Sequence, residues 1–488
     1  MDIIHGSAVS AGRRYCLRQV RKAQSPFEVK IIWRDTMSYT VRKPRLGVLA
    51  LGRSTFDTEF AAKMHEQALK TLADMDAELV GGKEILYGAA ALEAALPAIE
   101  AADVDALLVI QVTFTDAEST VAAALKLGKP VIMWSWAEAR TGGRLLLNSF
   151  CGVNLASHAL SRHGKSIVHV HKDSSDPEAA KEIFHAAQAA SVLNQLKGQK
   201  FLLIGEHPDG FDACNFNPND LFRLFGMTTD HIDILDFIEE TKAQPDSVAD
   251  APYARRAAQF PNLGELDHDA TIKTCKIYAR MRDKAAEQGY LGMTVRCWPH
   301  FFTHYGAAAC GAMAMMNEDG VPCGCEGDLY GVLTALLLTR LQNSGAFNTD
   351  LVDVDVKDDT VVFWHCGQAP IDMADPEGPI RGTIHSNRKL PLLSEFCLKP
   401  GRFTLARISQ GKGKLRLLIG GGEMISRPLA FSGTAGVARM DIPAEQFMKN
   451  LIAEGMEHHS GIVYGDCREQ LKMIAEMVGL EVVDLTKA

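Results

Sequence analysis

Apolar and polar positions alternate between two periods along the first three hundred residues. Arg45–Leu51 is a short apolar run ending at Gly52, and Thr58–Met75 follows with apolar residues at helical spacing. The same strand-then-helix texture recurs as Ala77–Val80 and Ala89–Ala101, Ala106–Ile110 and Ser119–Leu127, then Pro130–Trp134. Alternation of this kind predicts βαβ units around a parallel sheet. In such sheets ligands sit beyond the carboxyl ends of strands, here near Gln111–Asp116 and Trp134–Arg140. The segment 140–154, RTGGRLLLNSFCGVN, reads as a functional loop, or as a plain connection, before a helix at Leu155–Arg162. A second α/β unit is expected from Ser166, with helices at Pro177–Lys197 and Thr271–Gln288, strands at Lys200–Ile204 and Tyr290–Cys297, and a ligand-facing loop at 205–217.

Beyond the helix stop Asn343-Ser344-Gly345 the period changes to two. Leu351–Val356, Thr360–His365, Phe403–Ser409, Lys414–Ile419 and Gly436–Met440 are short β-type runs, which suggest an antiparallel sheet or barrel. Helix, strand, helix and strand close the chain. The expected architecture is therefore α/β, with two Rossmann-like parallel-sheet domains at 1–165 and 166–322 and a mainly antiparallel, barrel-like β domain at 323–488. No G-x-G-x-x-G follows any strand, so a dinucleotide is not indicated.

Composition narrows the function. The 488 residues are 47% hydrophobic and 23% charged, with a net charge of −9 and a pI near 6.0, which argues against a nucleic-acid surface. Eleven cysteines include no C-x-x-C pair, which suits a reducing cytoplasm and gives no structural zinc site. No apolar run reaches the roughly 18 residues of a membrane span. The first 24 residues carry five Arg or Lys against one Asp without an apolar region after them, and read as a basic extension or a transit peptide.

The chemistry concentrates at CGCEGDLYG, residues 323–331, where Glu326 and Asp328 stand before the most apolar helical run of the chain. In extended backbone their side chains share one face, and a carboxylate pair can hold a divalent cation or divide acid and base roles. The alternative is that Asp328 only caps the helix from Leu329. His365 ends an apolar strand, and His458 and His459 follow the helix stop at Gly455; alternation sends that pair to opposite faces, so that one of them reaches a shared site. Oxygen and imidazole donors together suit Mn²⁺, Mg²⁺, Co²⁺ or Zn²⁺.

The segments CEGDLYG, FWHCGQAP, CLKPGRFTLARIS and GMEHHSGIVYGD, with RTGGRLLLNSFCGVNLASHAL upstream, resemble the L-fucose isomerase and L-arabinose isomerase superfamily, from roughly Arg45 to the C-terminus. The resemblance implies two Rossmann-like domains and a C-terminal β-barrel domain, a bound Mn²⁺ or similar ion, and a homo-oligomer, often a trimer or hexamer, with sites near subunit contacts. It implies Asp328, His459 (or else His458) and His365 as metal ligands, with Glu326 beside them. Typical members carry a Glu roughly 25 residues before the Asp. Upstream of Asp328 the chain instead reads RCWPHFFTHYG, with His300 and His304 and no acid.

The leading expectation is a cytoplasmic, metal-dependent aldose–ketose isomerase of a sugar or acidic sugar, working through a cis-enediol. Glu326 or Asp328 would be the base, His300 would take the place of the upstream acid and favour an anionic substrate, and Trp298, His458, Asn154 and Arg140 would contact the sugar. The alternatives are a metal-dependent carbon–carbon lyase and a silent sugar-binding homologue.

Overall fold

The computed structural model describes residues 42–487; the basic extension before them lies outside the described residues. The first sheet holds β1 (Arg45–Gly52), β2 (Glu78–Tyr87), β3 (Ala106–Gln111), β4 (Val131–Ser135) and β5 (Ile167–His171), all parallel, in the order β2-β1-β3-β4-β5. Its central strands β1, β3 and β4 are apolar on both faces because both faces are covered, whereas the edge strands β2 and β5 carry exposed polar positions. Leu107 and Val109 enter one core cluster while their neighbours Leu108 and Ile110 enter the other. The expected strand Ala77–Val80 is longer, running to Tyr87, because Gly81 and Gly82 at φ 90° and 72° absorb a bulge against Val48 instead of ending the strand.

The second sheet is also parallel: β6 (Lys200–Ile204), β7 (Thr228–Ile232), β8 (Gly292–Val295) and β9 (Cys323–Cys325), in the order β7-β6-β8-β9. The divisions expected at 165/166 and 322/323 fall between two strands of one sheet in each case, since β5 pairs with β4 and β9 with β8.

The third sheet comprises β10 (Phe347–Asp355), β11 (Thr360–His365), β12 (Arg381–Thr383), β13 (Leu393–Cys397), β14 (Gly401–Ser409), β15 (Arg416–Ile425), β16 (Thr434–Met440), β17 (His459–Tyr464) and β18 (Glu481–Asp484). Its order is β12-β13-β16-β11-β10-β17-β14-β15-β18, and an added β15–β16 pairing closes six of these strands into a ring. The pairings inside the ring are antiparallel, so the barrel-like β domain expected from the period-two runs is present. The helix Leu329–Gln342 packs against β17, β14 and β8, joining this barrel to the second sheet, and nearly every one of its side chains is buried. That explains why its sequence is apolar all round rather than on one stripe.

Candidate functional site

Site geometry begins with the end of β9. Glu326 and Gly327 have φ of 60° and 72°, so the backbone leaves the strand in a left-handed turn and is not extended as the sequence suggested. Glycine is required at 327: a Cβ there would lie 2.6 Å from the His207 backbone nitrogen. The turn separates the two acids. Asp328 caps the helix Leu329–Gln342, its Oδ1 accepting the Gly331 N–H at 2.9 Å, while Glu326 turns towards Trp298 and the histidines.

Asp328 is fully engaged. Arg407, on β14 and wholly buried, donates to Oδ2 at 2.6 Å and to Oδ1 at 3.0 Å. His459 Nδ1–H donates to the same Oδ2 at 2.9 Å. Burial alone would raise this carboxyl, but Arg407 and His459 hold it far below the usual carboxylate range. The bond at Nδ1 fixes the tautomer of a neutral His459 and leaves Nε2 with its lone pair. That atom stands 3.7 Å from Glu326 Oε2, 3.6 Å from Asp350 Oδ1 and 3.6 Å from Cys325 Sγ.

Strand register brings Asp350 in. It lies on β10 directly across from His459 on β17, and Trp364 faces it from β11 on the other side. Its Oδ1 is buried without a hydrogen-bond partner. Buried carboxylate oxygens are expensive to leave unpaired, so this atom marks a place prepared for a cation or a donor. The sequence reading had passed over Asp350. A signal for it existed: Glu326 and Asp350 stand 24 positions apart (350 less 326), the interval the resemblance implies between its Glu and its Asp. The same interval counted back from Asp328 falls in RCWPHFFTHYG, where no acid occurs.

Glu326 Oε1 accepts the Trp298 indole N–H at 2.9 Å, and Oε2 pairs with His458 Nε2 at 3.0 Å. Burial pushes this carboxyl up, and His458, His459 and Trp298 more than offset it, so it lies below its ordinary value. His458 reaches the cluster together with His459, their rings 4.1 Å apart. Alternation had placed them on opposite faces, but β17 starts at His459, so His458 precedes the pleat and is free to fold back. Phe211, from the 205–217 loop, packs edge-on against both Trp298 and His458.

His365 adjoins the cluster through Cys325, with Nε2 at 2.9 Å from Sγ. Its Nδ1 accepts the Cys366 backbone N–H at 2.8 Å, so in the neutral ring Nε2 carries the proton and points it at sulfur. Two groups of possible ligand atoms, each within 4.8 Å, arise here: Cys214, Glu326, His458 and His459, and Cys325, His365 and His459. His300 lies off this cluster. It precedes the single π-helical turn Phe301–Tyr305, stacks on His304 at 5.5 Å, and has a buried Nδ1 without a partner. β8 ends at Val295, five residues earlier, so the strand stops before Pro299 can interrupt it. Arg140 and Asn154 are exposed and belong to the first sheet's domain, where no described contact joins them to Glu326 or His459. Arg140 lines a cavity of about 490 Å³ with Trp136, Glu138, Arg144 and His171. Asn154 sits inside the helix Ser149–Ser161, which begins earlier than expected because Gly152 is not a loop glycine: a Cβ there would meet Gln111 at 2.7 Å.

Residues 47–197 match the family model described as fucose/sulfoquinovose isomerase, N-terminal domain, and residues 395–486 match that of L-fucose isomerase, C-terminal domain. A sulfoquinovose isomerase from Priestia aryabhattai is 30% identical over 433 residues, 88% of this chain and 97% of that protein. The chain belongs to the fucose isomerase-like family. Sulfoquinovose isomerases from Alkalicoccus urumqiensis, 30% identical over 439 residues, and from Clostridium sp. (strain MSTE9), 29% identical over 447, align over 90% of the chain and 98% of their own length. This is a family of sugar isomerases, so the fucose isomerase-like relationship read from the sequence segments holds over residues 47–197 and 395–486. Among the described residues no helix is long and apolar enough to cross a membrane.

Proposed function

We propose that this member is a divalent-metal-dependent aldose–ketose isomerase acting on sulfoquinovose, a glucose with a sulfonate in place of its 6-hydroxyl, to give the corresponding 2-ketose. Supporting this reading are the sulfoquinovose isomerases that align along nearly their whole length. The observation that carries the metal is the buried Oδ1 of Asp350, without a hydrogen-bond partner, 3.6 Å from the Nε2 of His459 that Glu326 also faces. Glu326, Asp350 and His459 are two carboxylates and an imidazole, donors whose chemistry suits Mn²⁺, Mg²⁺ or Co²⁺; each carboxylate lies within 3.7 Å of His459 Nε2, and Asp350 would have to draw in to join Glu326 on one ion. When bound, such a cation would polarise the carbonyl and the adjacent hydroxyl of the open-chain sugar and acidify the C2 proton.

The residues of the chain then divide the work. Glu326, ionised at neutral pH, takes the C2 proton and returns it to C1. Trp298 holds the Oε1 edge of that carboxylate in place. His458, hydrogen-bonded to Oε2 and partly exposed, stands where it can pass the hydroxyl proton between O1 and O2. Asp328 acts behind His459 instead of as a ligand: it fixes the ring, and Arg407 fixes Asp328. His365 is turned to Cys325 and contributes packing beside the ligands. With Glu326 as the acid that precedes Asp350, the missing upstream Glu no longer favours a silent homologue, and the relatives named as isomerases favour isomerisation over a lyase.

Incubating the Mn²⁺-loaded protein with sulfoquinovose in D₂O tests the reading. Ketose of unchanged carbon number, with deuterium at C1, and loss of both in Glu326→Gln are expected. Shorter fragments, or no exchange with a metal-loaded protein, would sink it.

A further inference from the structure

Beside the reacting carboxylate lies a group of basic side chains that the mechanism above leaves unused. The turn after β12 closes on itself, with the Lys389 N–H donating to the His385 carbonyl at 2.8 Å and the His385 N–H to the Leu390 carbonyl at 2.9 Å. His385 Nδ1 also accepts from the backbone N–H groups of Asn387 and Arg388, at 3.3 and 3.4 Å, and its ring packs edge-on against Phe302 at 5.1 Å. This holds Arg388 in one position, its guanidinium carbon 5.0 Å from the Trp298 ring and 5.2 Å from the Phe302 ring. No carboxylate lies within ion-pair distance of Arg388 among the described residues, although most of the partly buried arginines here have one. His300 and His304, stacked on each other, flank the same Trp298–Phe302 segment, and Arg296 lies close enough to His300 to repel its proton. The acids facing this group are Asp233, near His300, and the fully exposed Asp209, 3.8 Å from Arg296.

We propose that Arg388, seated on Trp298 and Phe302, is the residue that recognises the anionic group at C6 of the substrate, with His300 and His304 completing the subsite. The proposal rests on the isomerase reading above and names how its substrate is selected. Trp298 supplies the geometry: its indole N–H holds Glu326, where C1 and C2 must react, and its ring carries Arg388. A six-carbon sugar whose reacting end is at the carboxylate therefore has its far end directed towards the guanidinium on the same indole. A guanidinium that is already positioned on aromatic faces and lacks a counter-ion loses little side-chain freedom on pairing with a tetrahedral oxyanion. A sulfonate and a phosphate monoester share that chemistry, and a neutral hydroxymethyl group lacks it.

The experiment compares sulfoquinovose, glucose 6-phosphate and glucose on the metal-loaded wild type, Arg388→Gln and Arg388→Lys, by steady-state kinetics and by calorimetric binding to the same proteins. Charge-assisted hydrogen bonds of this type correspond to about a 10- to 100-fold effect. The ratio of kcat/KM for sulfoquinovose over that for glucose is expected to fall by this factor in Arg388→Gln, through KM, and to recover in part in Arg388→Lys. An unchanged ratio in Arg388→Gln overturns the proposal. Should the wild type convert no sulfonated sugar, the isomerase reading fails, and binding still decides the subsite. Anionic sugars bound by the wild type and lost in Arg388→Gln uphold it, with the tighter of sulfoquinovose and glucose 6-phosphate naming its anion; equal binding by both proteins, or none by the wild type, removes it.

Discussion

At the scale of single residues, His459 is held between two carboxylates that do different things. Asp328 accepts the Nδ1–H hydrogen bond and is itself clamped by Arg407, while Glu326 and Asp350 face Nε2. Substituting Asp350→Asn should weaken divalent-metal binding about 10- to 100-fold with the fold intact, since a partly exposed side chain keeps its shape; metal titration by calorimetry measures it. His459→Ala should lose the metal, whereas His458→Ala should retain it and lose about 10²- to 10⁴-fold in kcat, which elemental analysis beside kinetics will separate. Asp328→Asn behaves differently again. It leaves the buried Arg407 without its charge partner, and breaking one side of a buried pair costs about 3–5 kcal/mol. Its urea midpoint should therefore drop sharply; a midpoint equal to wild type would return Asp328 to the role of a simple ligand.

Elements decide what those side chains can reach. The Glu326–Gly327 turn needs left-handed backbone and a missing Cβ at the same point. Gly327→Ala should cost about 1–3 kcal/mol and, because relief of the 2.6 Å contact with His207 moves the turn, should lower kcat by more than the stability loss explains. Activity at a temperature where the variant is fully folded isolates the second effect. Cross-strand register does the rest: a slip of one residue between β10 and β17 would carry Asp350 to the other face of the barrel wall.

Over the whole molecule, closure of the barrel is tied by charge. Arg402 on β14 and Arg468 at the start of the helix Arg468–Val478 share Asp441, just after β16, and Asp466. Asp466 is held down to about 2, first by its hydrogen bond to Arg468 and, against the effect of burial, by the Arg468 N–H and Arg402. Its value is lower folded than unfolded, so this stabilisation is complete above the unfolded value of about 4 and is lost as pH falls towards 2. Denaturant midpoints of wild type should decline over that window more steeply than those of Asp466→Asn; parallel curves would show that the group contributes nothing.

Much of this was legible in the chain itself. Period and burial follow from local rules, so the parallel sheets, the barrel runs, the fully buried helix Leu329–Gln342 and the caps Asp328 and Asn343 could be read directly. Motif segments with fixed spacing sufficed for the family, and they drew attention to Glu326, His458 and His459, which the structure places side by side. Glycines misled wherever their reason was a distant neighbour: Gly152 against Gln111 read as loop, and Gly81 and Gly82 read as a strand end. Asp350, marked only by its interval from Glu326, and Arg407, unmarked, depend on distant neighbours in the same way. Each acts through a partner 79 or more positions away, Arg407 through Asp328 and Asp350 through His459, and only the pairing of strands decides which distant residues meet. Local sequence determines the elements and their apolar faces; which carboxylate keeps an unpaired oxygen and which is spent on an arginine is decided by tertiary register, because that choice depends on which charge is buried beside it.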